Sequence, residues 1–264
     1  MPKVRVDVLM LERGLVESRS KAQRLVMAGQ VRADGQVVKK PSVSVSPDAE
    51  LSLDKGPKYV SRGGEKLEEA LYAFDITAAG QICADVGAST GGFTDCWLQN
   101  GARKVYAIDV GQGILHWKLR QDERVVVMES TNARFVGKLP EPIDVVSIDA
   151  SFISLKAFLP VVKGWFGSDG GQVIALIKPQ FEAGRREAAR GKGVIRDPEV
   201  HRQVLRKILT FAQEQGFGVM GLVRSPLLGP KGNVEFLVDL RYPKQAGVEI
   251  EKAIQRVIEL DIDR

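Results

Sequence analysis

Four polar side chains in this sequence have the chemistry to move a proton and to stabilise a developing charge. Two are lysines and two are carboxylates: Lys66, Asp149, Lys178 and Glu235. Asp149 and Lys178 each end a short apolar run, and the carboxyl ends of neighbouring parallel strands meet at one edge of a sheet. Each residue alone would most often form a surface ion pair. Their combination at predicted strand ends and at a predicted domain junction therefore indicates a catalytic site.

A hydroxyl group is the acceptor that such a set of side chains would suit. Hydroxyl groups are poor nucleophiles at neutral pH, so transfer of a group to one requires removal of its proton or stabilisation of the developing charge. A lysine with the usual pKa of about 10.4 cannot act as the base. Burial and a second ammonium group nearby favour the neutral amine, and two carboxylates can orient such a pair.

A glycine-rich turn follows the apolar run Ile82–Val86 and predicts a ligand site between a strand and a helix. Glycines let a ligand approach the backbone there, and the helix N-terminus favours polar groups. A dinucleotide fingerprint would require glycine at the position of Ser89, because a pyrophosphate must come close to the backbone. S-adenosylmethionine has no pyrophosphate, so the turn favours this methyl donor over NAD. The turn residues predicted to bind it are Asp85, Gly87, Ala88, Ser89, Gly91, Gly92 and Phe93.

Two residues after the next strands are predicted to hold the adenosyl group. Asp109 ends the second apolar run, about 20 residues beyond the glycine turn, where a carboxylate can accept hydrogen bonds from both ribose hydroxyls. Asn132 follows the third run, where the edge of the adenine would lie. An aspartate at a strand end is common by itself, and its pairing with the glycine turn is what indicates an adenosyl site.

The elements that must position these residues follow from the apolar pattern. Short apolar runs typical of parallel strands cover Ile82–Val86, Lys104–Asp109, Val125–Met128, Ile143–Asp149 and Gln172–Lys178. Helices are predicted at Phe93–Gln99, Leu155–Phe166 and Pro198–Gln215, and two late strands at Phe217–Val223 and Val234–Arg241. This alternation predicts a doubly wound, Rossmann-like α/β domain over residues 59–243. Residues 244–264 form a tail, with a terminal helix expected at Ile250–Leu260.

The first 58 residues predict a separate, small α+β unit. Asp7–Arg13 has helical spacing, and Ser18 is a typical N-cap for a second helix, Arg19–Ala28, that Gly29 ends. The dipeptide Asp34-Gly35 between two β-type segments predicts a hairpin.

The segment from residue 4 to residue 53 closely resembles the alpha-L RNA-binding motif of a small-subunit ribosomal protein and of pseudouridine synthases. The Ser18 helix start, the Gly29 exit and the Gly35 hairpin carry the resemblance. Spacing alone does not distinguish whether the basic face of the second helix binds RNA or is only a solvated surface. The resemblance implies that the basic residues meet RNA phosphates, which positions a substrate without reading its sequence. These residues are Arg5, Arg19, Lys21 and Arg24.

The charge balance also favours a polyanionic partner. Lysine and arginine total 38 against 33 acidic residues, which gives a formal net charge of +5, and basic residues cluster between Lys3 and Lys66 and again in the stretch 185–196. Patches of one sign favour phosphate backbones. Outside the first unit, the residues predicted to bind RNA are Arg62, Arg185, Arg186, Arg190 and Lys192.

Composition argues against several other classes of protein. Cys83 and Cys96 lack metal-type spacing, so we expect reduced thiols and no metal site. The N-terminus lacks the apolar segment of a secretory signal, and no apolar run approaches the ~18 residues that span a bilayer. We therefore expect a cytoplasmic protein without a membrane partner.

The whole chain resembles the TlyA family, whose members are named both as hemolysins and as ribosomal RNA 2′-O-ribose methyltransferases, and whose catalytic half is similar to FtsJ-type enzymes. The motifs that carry the resemblance are Ser61–Leu67, Asp85–Thr94, Ser147–Phe152, Lys178–Phe181 and Asn233–Phe236. The resemblance implies that the two lysines and two carboxylates named first form the catalytic tetrad of the family. It also implies ribosomal RNA as substrate, cytidine riboses as targets and S-adenosylmethionine as donor.

Three alternatives stay open. Methylation of cytosine C5 would require a cysteine beside the acceptor, whereas both cysteines lie beside the glycine turn, and amino-group methylation usually shows a polar-Pro-Pro-aromatic signature where this chain reads Asp149-Ala150-Ser151-Phe152. A non-enzymatic RNA-binding scaffold would not need the tetrad. A pore-forming hemolysin would need an amphipathic or membrane-spanning segment. The sequence does not specify the modified nucleotide, the oligomeric state or a requirement for an assembled ribosomal subunit.

Overall fold

The computed structural model describes residues 2–54, 56–184, 187, 189 and 191–262. The chain divides into two compact units, Met1–Lys58 and Tyr59–Arg264, and each contains a hydrophobic core of its own. The stretch 244–264, which the sequence analysis treats as a tail, belongs to the second unit.

The first unit is a small α+β fold with two helices. Its helices are α1 (Val6–Glu12) and α2 (Arg19–Met27), and its strands are β1 (Val4–Arg5), β2 (Val31–Ala33), β3 (Gln36–Val37), β4 (Ser44–Val45) and β5 (Leu51–Leu53). β1 pairs with β4, and β2 lies between β3 and β5, with all pairs antiparallel. Apolar side chains of both helices and of β2 form the core, among them Val6, Met10, Ala22, Val26 and Val31.

Local signals explain where these elements begin and end. Ser18 Oγ accepts a hydrogen bond from the Lys21 N–H at 3.2 Å and so caps α2. Asp34 and Gly35 both have positive φ, 49° and 79°, as a type I′ turn between β2 and β3 requires. The predicted helix cap and the predicted hairpin are both confirmed.

A buried carboxylate on α1 organises basic residues of the first unit. The Asp7 side chain is fully buried, and its oxygens accept hydrogen bonds from the guanidinium groups of Arg5 and Arg19 and from the Gln23 amide at 2.9–3.0 Å. The Arg5 guanidinium, assisted by Gln23 and Arg19, holds the pKa of Asp7 well below its usual range. One anion therefore orients two of the side chains that we predict to bind RNA.

The described residues of the second unit form a seven-stranded sheet. Its strands are β6 (Ile82–Val86), β7 (Lys104–Ile108), β8 (Val125–Met128), β9 (Val145–Ile148), β10 (Gly171–Ile177), β11 (Gly218–Arg224) and β12 (Phe236–Tyr242). The spatial order is β11-β12-β10-β9-β6-β7-β8; β6 to β10 run parallel, and β12 is antiparallel to both of its neighbours. The predicted Rossmann-like α/β class is confirmed, and each strand lies within about two residues of its predicted bounds.

The helices of this unit require one correction to the predictions. The helices whose bounds the structure describes are α3 (Gly63–Ala73), α4 (Gly92–Gln99), α5 (Trp117–Arg120), α6 (Leu159–Val162), α7 (Pro179–Glu182), α8 (Pro198–Glu214) and α9 (Ile250–Ile262). The continuous helix predicted over Leu155–Phe166 is wrong: 3₁₀ turns flank α6, because Pro160 lacks an N–H and is tolerated only in a first helical turn. The expected terminal helix is present as α9 and packs on α8. Helix α3 was not predicted from the sequence, because it starts with two glycines, which are poor helix formers.

The sheet changes its direction of growth between β6 and β9. β7 and β8 are added on one side of β6, whereas β9 and β10 are added on the other. Ligands of open α/β sheets bind at the carboxyl ends of the strands at such a switch point. The glycine turn follows β6, Asp149 follows β9 and Lys178 follows β10, so the topology gathers them at one rim.

We expect Asp7→Asn to destabilise the first unit and to leave the stability of the second unit unchanged. The change removes the charge that Arg5 and Arg19 share, at a cost of about 1–3 kcal/mol. Since all three tryptophans lie in the second unit, hydrogen exchange followed by mass spectrometry is the suitable measurement, and the amides of α1 and α2 should exchange faster. Asp54→Asn, which breaks the exposed Arg32–Asp54 pair, is the control. Equal effects in the two variants would contradict this role of Asp7.

Candidate active site

A buried ion pair joins α3 to the start of β12. Lys66 Nζ lies 2.6 Å from Glu235 Oε2, although the two residues are 169 positions apart in the sequence. The Glu235 side chain is fully buried, and its other oxygen accepts a hydrogen bond from Gln180 Nε2 at 3.0 Å. A Cβ on Gly229 would stand 2.1 Å from Glu235 Oε1, so the loop that passes this carboxylate needs glycine at its closest approach.

A second ion pair lies at the carboxyl ends of β9 and β10. Lys178 Nζ lies 2.6 Å from Asp149 Oδ1 and donates a hydrogen bond to Ser151 Oγ at 3.0 Å. The Lys178 side chain is 8% exposed, and an ammonium so far removed from water needs a partner of opposite charge. The Asp149 N–H donates to the Val86 carbonyl at 2.9 Å, which ties the end of β9 to the end of β6.

Two cavities lie beside these ion pairs, and Gly87, Ser89 and Asp149 contribute to the walls of both. The Lys66 cavity, of about 800 Å³, is lined by Lys66, by the turn residues and by residues 61–63 and 227–232. The Asp109 cavity, of about 480 Å³, is lined by Asp109 and by residues 131–134 and 149–153. Asp149 therefore stands where a ligand in one cavity would meet a ligand in the other.

The Asp109 cavity has the dimensions and the polar groups of a nucleoside site. Asp109 Oδ2 accepts a hydrogen bond from the Ser89 N–H at 2.8 Å, and Oδ1 accepts one from the Gly111 N–H at 2.7 Å. These contacts hold the carboxylate at the cavity wall. Asn132, predicted to lie beside an adenine, also lines this cavity, and its Oδ1 accepts a hydrogen bond from the Arg134 N–H.

The glycine turn leaves no room for larger residues at its first position. Gly87 has a φ of +82°, and a Cβ there would come within 2.9 Å of the Asp149 carbonyl oxygen. Five of the seven turn residues predicted to bind the donor line one or both cavities: Gly87, Ala88, Ser89, Gly92 and Phe93. Asp85 and Gly91 line neither cavity.

Asp85 lies beneath the turn and faces the protein interior. Its fully buried carboxyl group accepts hydrogen bonds from Thr94 Oγ1 at 2.7 Å and from Ser147 Oγ at 3.0 Å, and Trp97 Nε1 donates to the same serine at 3.0 Å. Burial raises the pKa of Asp85 to about 7, although these hydrogen bonds oppose the shift. Asp85 therefore supports the turn from within, by linking β6, β9 and α4.

Glu129, which follows β8 in the segment 129–133 where an adenine edge was expected, shapes a wall of the Asp109 cavity. Its carboxylate accepts hydrogen bonds from the backbone N–H groups of Gly113, Ile114 and Leu115 at 2.8–3.0 Å and bonds to the Arg120 guanidinium. The Arg120 guanidinium and these N–H groups lower the pKa of Glu129 to about 2. Because Ile114 lines the cavity, Glu129 anchors the loop that encloses it.

Two residues that contact the ion pairs were not predicted from the sequence, although both belong to motifs that contain predicted catalytic residues. Ser151 contacts Lys178, and Gln180 contacts Glu235. Ser151 lies two residues after Asp149, and Gln180 lies two residues after Lys178. Their proximity in sequence to predicted catalytic residues was the available signal.

The basic residues predicted to bind RNA are distributed over both units. Arg62 is exposed and lines the Lys66 cavity, and Lys192 is exposed on the second unit. Arg24 is exposed on α2, where Lys21 is partly exposed. Three further predicted residues, Arg185, Arg186 and Arg190, lie outside the described residues.

Comparison with known proteins covers both units of the chain. Residues 59–242 match the model of the FtsJ-like methyltransferases, and residues 4–51 match that of the S4 domain. The Mycobacterium tuberculosis protein named 16S/23S rRNA (cytidine-2′-O)-methyltransferase TlyA is 44% identical over 265 residues, which cover 97% of each chain. The chain belongs to the TlyA family of FtsJ-like methyltransferases.

Other relatives of this TlyA-family chain carry two kinds of name. The Bacillus subtilis candidate rRNA methyltransferase YqxC is 48% identical, over 97% of this chain and 93% of that protein. A solved structure from Streptococcus thermophilus that bears a hemolysin name is 46% identical and matches with a TM-score of 0.74, over 100% of this chain and 97% of that one. Among the residues that the structure describes, no helix combines the length and the apolar character needed to cross a membrane.

We expect Asp85→Asn to change how the stability of the second unit depends on pH. Burial raises the pKa of Asp85 to about 7 in the folded chain, whereas an unfolded aspartate titrates near ~3.9. The folded state therefore keeps a proton that the unfolded state has lost. The stabilising contribution is complete below pH ~4 and is lost as the pH rises through about 7, by up to about 1.4 kcal/mol per pH unit.

The measurement is guanidinium unfolding followed by tryptophan fluorescence at about pH 5 and pH 7, for both proteins. The wild type should lose more stability than Asp85→Asn between these two conditions, because the amide does not titrate. An identical loss in the two proteins would show that the carboxyl group is already ionised in the folded chain.

Proposed function

We propose that this chain methylates ribose 2′-hydroxyls of ribosomal RNA, at cytidines, with S-adenosylmethionine as methyl donor. The observation that carries the proposal is the Lys178 amine, nearly buried and held against Asp149, which lies in the walls of both cavities. The cytidine-2′-O activity in the name of the Mycobacterium tuberculosis relative supports the same reaction.

The Asp109 cavity suits the adenosyl part of the donor. Its volume of about 480 Å³ lies within the range of small-molecule sites, and Asp109 can accept hydrogen bonds from two ribose hydroxyls. Apolar side chains such as Ile108, Val110 and Phe158 offer surfaces for a base. The bound donor supplies a methyl group on a positively charged sulfur, and the electron pair of the broken S–C bond stays on that sulfur.

The two lysines suit the acceptor side of the reaction. Lys178 can take the proton of the hydroxyl group or hold the charge that develops on its oxygen, and Asp149 orients the amine for this task. The walls of the Lys66 cavity carry Arg62, Lys66 and Lys231, which suit the phosphates of an RNA strand. Glu235 fixes Lys66 in this wall.

The first unit suits the task of positioning the RNA. Its match to the S4 domain and its exposed basic side chains support contacts to phosphates, which orient a substrate without reading its bases. The side chains of Arg5 and Arg19 stay 43% and 49% exposed although Asp7 orients them, so they keep donors for a phosphate.

Methylation of cytosine C5 is disfavoured by the positions of the thiols. That reaction needs a cysteine nucleophile beside the acceptor. Cys83 and Cys96 are the only cysteines of the chain; both are buried, and neither lines either cavity.

We expect Asp109→Ala to weaken the binding of S-adenosylmethionine by about tenfold or more, because a charged acceptor of ribose hydroxyls is lost. Titration calorimetry on both proteins is the measurement, with NAD as a second ligand that the wild type should not bind. Asp122→Ala, which removes the aspartate that pairs with Arg124 outside both cavities, should bind the donor normally. Equal affinity of the wild type and Asp109→Ala for S-adenosylmethionine would contradict the proposal that Asp109 binds the donor.

Lys178→Ala and Lys178→Arg should both lose methyl transfer by a factor of about 100 to 10,000 or more, while donor and RNA still bind. Arginine keeps the positive charge but does not give up its proton, so it cannot act as the base. Single-turnover transfer of labelled methyl groups to ribosomal RNA and to ribosomal subunits, both from cells that lack the gene, is the measurement. Lys163→Ala, at a lysine outside both cavities, is the control.

The outcomes separate the parts of the proposal. Near-normal rates in Lys178→Arg would exclude the base and leave charge stabilisation, and near-normal rates in Lys178→Ala would end the catalytic assignment. Mass spectrometry of the digested product should identify 2′-O-methylcytidine. A methyl group on a base would overturn the ribose assignment.

A further inference from the structure

The contacts of Lys178 determine a direction as well as a charge. A lysine nitrogen has three positions besides its bond to carbon, and each holds a proton or, in the neutral amine, the lone pair. Ser151 Oγ accepts a hydrogen bond from this nitrogen at 3.0 Å, which gives one position a direction. Asp149 Oδ1 lies 2.6 Å from the nitrogen and supplies the opposite charge, but the two atoms do not form a hydrogen bond.

Ser151 adds something that Asp149 alone cannot provide. An ion pair without a hydrogen bond leaves the amine free to rotate about its bond to carbon. The Ser151 oxygen accepts a hydrogen bond and thereby fixes this rotation, with a proton in one position. Because the nitrogen is tetrahedral, the directions of the other two positions are then fixed, and they hold protons or, in the neutral amine, a proton and the lone pair.

The loop that carries Ser151 is held against the segment after the reactive lysine. The Phe152 ring packs against the Phe181 ring, with centroids 4.9 Å apart. The Leu155 N–H donates to the buried carboxyl group of Glu182 at 2.8 Å. Phe181 and Glu182 both belong to α7, which begins directly after that lysine. The positions of Ser151 and Lys178 relative to each other are therefore supported by contacts besides the hydrogen bond between them.

We propose that Ser151 is a positioning residue for methyl transfer, whose oxygen fixes the rotation of the Lys178 amine so that one of its other positions faces the 2′-hydroxyl of the RNA. This inference rests on the proposed function. The lone pair of the neutral amine takes the hydroxyl proton as the ribose oxygen bonds to the methyl carbon, and the S–C electron pair goes to sulfur. The ammonium group that results returns its proton to water. If the amine is charged from the start, an N–H in the same position stabilises the charge on the oxygen, and the hydroxyl proton leaves to water.

The test is single-turnover methyl transfer to ribosomal subunits at saturating S-adenosylmethionine, with donor affinity measured separately by calorimetry. Ser151→Ala should slow the saturated rate about 10- to 100-fold, the worth of one hydrogen bond to a charged group, with donor affinity unchanged. Ser151→Thr keeps the hydroxyl oxygen and should recover most of the rate. Ser168→Ala is the control, since Ser168 is exposed, bonds to Asp169 and lines neither cavity. This control should keep the wild-type rate.

The other outcomes overturn either the positioning role or the proposed function. A wild-type rate in Ser151→Ala, an equal loss in Ser151→Thr, or an equal loss in Ser168→Ala would overturn the positioning role. A loss in Ser151→Ala that donor affinity explains would make Ser151 a donor contact and would also overturn it. Absence of transfer by the wild type would instead overturn the proposed function, so the two failures are distinguishable.

Discussion

Two lysine–carboxylate pairs lie where water has little access, and this burial of charge constrains the rest of the second unit. Removing an ammonium or carboxylate group from water costs several kcal/mol, and a protein tolerates it only when an opposite charge and further hydrogen bonds satisfy the group. The sheet meets this requirement by ending β9 and β10 side by side, with Asp149 and Lys178 2.6 Å apart. The meeting of α3 with the start of β12 satisfies it again for Lys66 and Glu235. Strand order and helix placement must therefore be right before either pair can exist.

The Asp109 cavity is built by a different use of carboxylates. Asp109 and Glu129 follow β7 and β8, and both accept hydrogen bonds from backbone N–H groups of neighbouring loops. Loops have few apolar contacts to hold them, so a carboxylate that binds consecutive N–H groups gives a loop a defined shape. Asp85 works from the interior, where its hydrogen bonds to Thr94 and Ser147 link the glycine turn to the sheet. The cavity wall is thus shaped largely by carboxylates, such as Glu129 and Asp85, that do not line the cavity themselves.

In the first unit, by contrast, the basic side chains of the ion pairs around Asp7 stay partly exposed. Its buried anion, Asp7, keeps two guanidinium groups oriented while about half of each side chain stays in contact with water. A partly hydrated guanidinium can exchange water for phosphate at little cost, whereas a buried one cannot. The chain therefore combines a unit whose basic side chains stay partly exposed with a unit in which two lysine–carboxylate pairs are withdrawn from solvent.

Short-range signals in the sequence determined the local structure: Ser18 predicted a helix start, the apolar runs predicted the strands, and the glycine turn predicted a ligand site. These signals act within a few residues, where backbone geometry and periodicity suffice. Only the tertiary structure decided which side chains meet. The partner of Glu235 lies 169 positions away, Ser151 contacts a lysine that follows the neighbouring strand, and Asp85 faces inward although its motif predicted contact with a ligand. Such contacts depend on strand order and register, which long-range packing determines.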